Sequence, residues 1–164
     1  MGNYSKKNKS FSTGSYHVKL INNCLQNCEA SAATADMATA LQRAALINDL
    51  TAINALLDRG VSVNASDEIG RTPLMEAVFS GNQAAVSLLI LRGADVNISD
   101  QDGWTALMEA SSKGRFEIAR ILLFSGADPK ARNKTGTTAR DLTAKGHLKL
   151  LKLLTDAGRT ELAS

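Results

Sequence analysis

The chain has 164 residues, of which 44% are hydrophobic and 21% charged, as in an ordinary soluble globular domain. Its net charge of +3 is too small to argue for nucleic acid, and its longest nearly apolar run, residues 84–91, is far shorter than the ~20 residues of a membrane span. Two cysteines and no apolar signal segment at the start predict a cytoplasmic protein, with a nuclear or peripheral-membrane location as alternatives.

Residues 1–37 differ in composition from the rest of the chain. Residues 1–15 are mostly Ser, Asn, Lys and Gly and have few apolar groups to bury, so we expect a disordered tail there. Residues 16–28 are predicted to form an amphipathic helix that packs over the beginning of the segment after residue 37. Its apolar stripe recurs every four residues at Tyr16, Leu20, Cys24 and Cys28. Residues 31–35 are interpreted as a short link.

The first residues also suggest a lipid anchor. Gly2 precedes small and basic residues, as in an N-myristoylation signal, although the motif asks for Ser or Thr where this chain has Lys6. If Gly2 were acylated, Lys6, Lys7 and Lys9 would supply the second, electrostatic membrane signal that one acyl chain needs. This gives an alternative function, a membrane-associated adaptor, beside the interpretation of the segment as a solvated tail.

From Ala38 onwards the sequence repeats with a period of 33 residues. Gly70–Ala77 returns as Gly103–Ala110, and Leu88–Asp95 returns as Ile121–Asp128. A fixed period of this size indicates one supersecondary unit stacked on copies of itself. The repeat domain, residues 38–164, therefore divides into four units, at 38–69, 70–102, 103–135 and 136–164. In the fourth unit one residue is missing, between 143 and 146.

Each unit is predicted to hold two short helices, which in unit two cover Pro73–Ser80 and Gln83–Arg92. Thr72 is a good N-cap, Pro73 suits the first helical position, and Gly81 and Gly93 suit the two C-terminal ends. Helices of this length are unstable alone in water, so stacking between units must stabilise them. The predicted stacking positions are Ala77, Val86, Leu89 and Ile90 in unit two, and Ala110, Ala119, Leu122 and Leu123 in unit three. Residues 94–102 are predicted to form a tight, hairpin-like turn.

The repeated pattern resembles that of the ankyrin repeat family. The family opens its repeat with Gly-x-Thr-Pro-Leu-His-x-Ala-Ala, places Gly-His between the helices, and ends with Leu-Leu-x-x-Gly-Ala-Asp-Val-Asn. Units two and three match this pattern nearly position for position, and the resemblance extends over residues 38–164. It implies an all-α solenoid of stacked helix-turn-helix units with hairpin-like turns. Met75 and Met108 stand where the family has His, and in unit four Thr138 and Asp141 are expected to cap each other.

Candidate catalytic and metal sites are explained better by the repeat. Residues 100–103 with Glu109 share part of the spacing of a calcium-binding loop, but the first ligand position is Ile98. Cys24 and Cys28 are too few for a structural zinc site. His147 lies at the turn between the two helices of its unit, where we expect a structural role. The sequence therefore predicts no enzyme activity, no catalytic residues, no metal and no cofactor.

The resemblance implies that function lies on the surface formed by the turn tips and the first helices. The partner-binding residues predicted there are Glu68, Ile69, Arg71, Glu76, Phe79, Gln101, Asp102, Trp104, Glu109, Ser112, Lys113 and Lys134. Trp104 is the one tryptophan and is expected at the centre, since Trp is frequent in interface hot spots. Two alternatives stay open: Trp104 folds back over the neighbouring turn, or Phe79 is partly buried against an adjacent unit.

Charge is distributed unevenly along the stack. Residues 38–110 contain four basic and nine acidic side chains, whereas residues 111–164 contain eleven basic and five acidic ones. A partner of opposite polarity would be steered into register by this asymmetry. We expect a monomer that binds another protein and no nucleic acid, because aromatic residues do not interleave the basic half. Self-association through an uncovered end of the stack is a further alternative.

Overall fold

The computed structural model describes residues 30–144 and 147–160. Within these two ranges the chain forms eight α-helices, arranged in four helix-turn-helix pairs. They are α1 (Ala30–Leu46), α2 (Leu50–Asp58), α3 (Pro73–Ser80), α4 (Gln83–Leu91), α5 (Ala106–Ser112), α6 (Phe116–Phe124), α7 (Ala139–Leu142) and α8 (Leu148–Thr160).

The helices stack in two layers. The first helices of the pairs, α1, α3, α5 and α7, contact one another in succession, and so do the second helices, α2, α4, α6 and α8. Strand pairing among the described residues is limited to one isolated antiparallel bridge, between Ser99 and Thr105. The predicted all-α ankyrin-type solenoid is confirmed.

The ends of the helices follow the predicted signals. The Thr72 hydroxyl oxygen accepts a hydrogen bond from the Met75 backbone N–H at 3.3 Å, and Pro73 occupies the first helical position of α3. Gly81 and Gly93 adopt φ values of +79° and +89°, the left-handed conformation expected at helix C-termini. Helix α4 ends at Leu91, one residue before the predicted end.

The core runs as a continuous aliphatic layer between the units. Small alanines lie where first helices meet, so their backbones can approach closely, and leucines fill the space beside the second helices. Six of the eight predicted stacking side chains are fully buried: Ala77, Val86, Leu89, Ala110, Ala119 and Leu122. The other two, Ile90 and Leu123, are partly buried against the same core. Each unit therefore depends on its neighbours for burial of its apolar surface.

The predicted short link at residues 31–35 is wrong, because these residues belong to helix α1. Alanine has the highest helix propensity, so the alanine-rich sequence favours continuation of the helix over a break. Helix α1 therefore runs across the predicted domain boundary at residue 38. The predicted tail, the helix at 16–28 and the Gly2 motif lie outside the described residues.

The fourth pair is shorter in its first helix. Helix α7 has four residues, against eight in α3. The predicted reciprocal cap is present: Thr138 Oγ1 accepts from the Asp141 N–H at 3.3 Å, and the Thr138 N–H donates to Asp141 Oδ2 at 3.0 Å. The cap satisfies backbone N–H groups at the N-terminal end of this single helical turn.

Candidate partner-binding surface

The turn tips between units, at residues 67–70, 100–103 and 133–136, share one pattern of hydrogen bonds. The Asp100 N–H donates to the Trp104 carbonyl at 2.9 Å, and Asp100 Oδ1 accepts from the N–H groups of Asp102 and Trp104, both at 2.9 Å. Asp67 and Asn133 make the same set of bonds in the tips before and after. An Asx side chain at this position therefore shapes each tip.

Successive tips are also joined to one another. The Gln101 N–H donates to the Ile69 carbonyl and the Lys134 N–H to the Asp102 carbonyl, both at 2.9 Å. Gln101 Nε2 adds a bond to the Glu68 carbonyl at 2.6 Å. The tips form a continuous row, in which predicted partner-binding residues from three units have defined relative positions.

Beside this row, four of the predicted binding residues lie together, and we call them the Phe79 cluster: Arg71, Glu76, Phe79 and Lys113. The Phe79 side chain is 43% exposed. The Arg71 guanidinium carbon lies 5.5 Å and Lys113 Nζ 4.4 Å from the centre of the Phe79 ring, both within cation–π range. Arg71 Nε also donates to Glu76 Oε1 at 2.6 Å. The cluster offers an aromatic ring with two cations beside it.

Trp104 is less available than the sequence analysis expects. Its side chain is half-buried and packs against the hydrophobic core. This agrees with the alternative in which the ring folds back onto the stack. Ile69, on the preceding tip, is an apolar side chain that is 56% exposed.

The remaining predicted residues divide by exposure. Side chains that lie open to solvent are Glu68, Gln101, Asp102, Lys113 and Lys134, and those that are half-buried are Arg71, Glu76, Glu109 and Ser112. Ser112 Oγ donates to the Glu109 carbonyl at 3.0 Å, so its hydroxyl is partly occupied within its own helix. The exposed set lies chiefly on the tips.

The sequence analysis did not predict two residues, Asn82 and Arg115, whose side chains bind the ends of the first helices. Arg115 Nη2 donates to the Phe79 carbonyl at 2.8 Å, and Asn82 Nδ2 donates to the Ala45 and Leu46 carbonyls at 3.0 and 2.7 Å. Each side chain reaches back from the start of a second helix to the end of the preceding unit's first helix. Their position directly after Gly81 and Gly114 is the signal that could have identified them.

Two apolar side chains on the second helices were also not predicted as surface features. Leu91 is 81% and Phe124 95% exposed, and they occupy the same position in units two and three. Comparing exposed positions between units would have found them, since the repeat does not need a large apolar residue there.

No group of three or more His, Cys, Asp or Glu side chains in the described ranges is arranged to hold a metal ion. Over the same residues, none of the helices has the length and apolar character needed to cross a bilayer.

The stacked helix pairs and the hydrogen-bonded row of tips define a repeat solenoid that presents a continuous surface. A family model described as ankyrin repeats (3 copies) matches residues 12–100, 41–133 and 88–161. The chain therefore belongs to the ankyrin repeat family, whose members are generally protein–protein interaction modules. The first match begins well before the predicted start of the repeat domain at residue 38. The comparison with curated proteins gave no match.

Proposed function

We propose that this protein is a non-enzymatic binding module that holds a protein partner against its turn tips and first helices, centred on the Phe79 cluster. The supporting observation is the half-exposed Phe79 ring with Arg71 and Lys113 beside it. Large aromatic rings contribute strongly to interfaces, and charged residues beside them give orientation.

The cluster indicates what the partner should offer. Arg71 is already paired with Glu76, whereas Lys113 forms no ion pair with another described residue. A partner carboxylate beside an apolar side chain would meet Lys113 and the Phe79 ring together. Ile69 extends the apolar area on the neighbouring tip, and Trp104 supports the row through its packing more than through its exposed surface.

Affinity capture followed by measurement of the dissociation constant tests this proposal. Phe79→Ala should weaken binding of the captured partner by about 2 kcal/mol or more, which is roughly 30-fold. Trp104→Ala should weaken binding too, but with a lower melting temperature, because it removes packing on the core.

Phe124→Ala is the matched control, since it removes the same side chain from a site that is 95% exposed on the second helices. It should bind as the wild type does. If Phe79→Ala also bound like the wild type while Phe124→Ala lost the partner, the binding surface would lie on the second helices and the proposal would be wrong.

A further inference from the structure

A surface groove of about 410 Å³ lies where unit three meets unit four, and we call it the unit-four groove. Its lining includes Lys130, Arg132, Arg140 and Asp141, together with the apolar side chains of Pro129 and Leu154. None of the residues of the Phe79 cluster lines it. The volume is within the usual range of ligand sites and would hold one or two side chains of an extended segment.

The charge of the groove is positive, because Lys130, Arg132 and Arg140 outnumber Asp141, the one carboxylate among its described lining residues. Asp141 Oδ2 accepts hydrogen bonds from Thr138 Oγ1 at 2.7 Å and from the Thr138 N–H at 3.0 Å. These bonds, and to a smaller extent Arg132 and Arg140, hold the pKa of Asp141 below its usual value. Neither arginine forms an ion pair in the described part of the chain. Three cations therefore face one carboxylate whose main partner is a threonine.

Part of this positive edge is held in place by the backbone. Arg132 Nη1 donates to the Gly136 carbonyl at 2.6 Å, which orients its guanidinium beside the turn. A guanidinium oriented in advance loses less freedom when it binds a carboxylate.

The position of Lys130 departs from the pattern of the earlier units. At the same repeat position, Asn64 Oδ1 accepts from the Asp95 N–H at 3.0 Å, and Asn97 Oδ1 accepts from the Asp128 N–H at 2.8 Å. These asparagines join one unit to the next. Unit three has a lysine at this position, Lys130, whose side chain carries no oxygen to accept such a bond and lines the groove.

We propose that the unit-four groove is a second binding site, which takes an extended acidic peptide segment. A carboxylate of the segment would lie between Arg132 and Arg140, with an adjacent apolar side chain against Pro129 and Leu154. Nucleic acid fits less well because none of the described residues that line the groove is aromatic, as base stacking would require. A flat lipid surface fits less well because the cations line a concave groove.

Fluorescence anisotropy with a fluorescein-labelled octapeptide of alternating Glu and Leu tests the site on the full chain. Arg140→Gln should raise the dissociation constant about tenfold, the size expected for loss of a hydrogen bond to a charged group. Lys149→Gln is the matched control: Lys149 is exposed on α8 outside the groove, so removing the same charge should change binding less than about twofold.

Several outcomes would overturn the proposal. They are no binding of the peptide by the wild type, equal losses in Arg140→Gln and Lys149→Gln, and equal binding of a peptide with Lys in place of Glu. Tighter binding of single-stranded DNA or phosphatidylserine vesicles than of the peptide would overturn the choice of ligand.

A further variant separates this site from the Phe79 cluster. Phe79→Ala should bind the octapeptide as the wild type does, whether or not it has lost its protein partner. Loss of the octapeptide in that variant would place the peptide on the Phe79 cluster and overturn the second site. Arg132→Gln gives an independent check within the groove, with its melting temperature measured because it also loses the bond to Gly136.

Discussion

Two glycines at the same repeat position meet different surroundings. Gly103 and Gly136 have φ values of +79° and +78°, so both need the left-handed conformation that glycine adopts without strain. A methyl group added at Gly103 would lie 3.0 Å from Asn133 Cα, whereas one added at Gly136 meets nothing within 4 Å. The difference arises because the next tip packs against Gly103.

Alanine at both positions separates conformational strain from steric contact. Gly136→Ala should lower the free energy of unfolding by about 1–2 kcal/mol, the strain of a left-handed L-residue. Gly103→Ala should lower the free energy of unfolding further than Gly136→Ala does, because the Asn133 backbone must also move. Urea unfolding of the two variants measures the difference, and equal losses would show that the close approach between tips does not contribute.

Single residues were predictable from the sequence where they act on their own neighbours. Thr72, Gly81 and Gly93 end helices through bonds and angles within a few residues, so their roles follow from local chemistry. Asn82 and Arg115 act on carbonyls of the preceding unit, between 36 and 37 residues away. Their place directly after Gly81 and Gly114 can be read from the sequence, but the carbonyls that they bind follow only from the stacking geometry. The half-burial of Trp104 was hidden for the same reason.

Among the elements, α7 depends most on a single side-chain pair. It has four residues, and Thr138 and Asp141 cap each other across them. The hydrogen bonds from Thr138 lower the pKa of Asp141, with smaller contributions from Arg132 and Arg140. The charged form of Asp141 therefore favours the folded chain.

The sign of the pH dependence follows from this lowered pKa. The stabilisation is fully present above the unfolded-state pKa of about 3.9 and is lost as the pH falls through the lower, folded-state pKa. Asp141→Asn should therefore melt below the wild type at pH 7, and the gap should narrow below about pH 4. Melting curves over this range check the prediction, and a gap that stays constant with pH would contradict it.

The elements show where local sequence signals mislead. Helices α3 and α4 were predicted closely because a proline and glycines mark their ends. The start of helix α1 was missed, because residues 31–35 were interpreted as a link although their alanine content favours a helix. The unit-four groove could not be predicted, because Arg132 and Arg140 come together only through the turn between them.

At the scale of the whole molecule, stability should reside between the units. Leu89 and Leu91 lie two residues apart on α4, the first fully buried in the stack and the second 81% exposed. Leu89→Ala should lower the free energy of unfolding by about 2–5 kcal/mol, whereas Leu91→Ala should change it by less than about 0.5 kcal/mol. Urea unfolding measures both changes. A large loss of stability in Leu91→Ala would contradict the prediction, since it would mean that the Leu91 side chain is covered in the folded protein.

The architecture itself was the most predictable property. The period of 33 residues recurs in many positions at once, so the stack of paired helices followed from the spacing between Gly70 and Gly103. The distribution of function along the stack was not predictable to the same degree. It depends on which side chains remain exposed once the units have packed, as the contrast between Phe79 and Trp104 shows.

The contact of each helix pair with the next has a mechanical consequence. Tension applied to the two ends of the chain would act on the junctions between units in series, so every junction would carry the same force. The junction with the least buried surface would yield first, while those behind it kept their shape. A partner that spans several units would therefore stiffen the molecule against stretching, by clamping junctions that otherwise open one at a time.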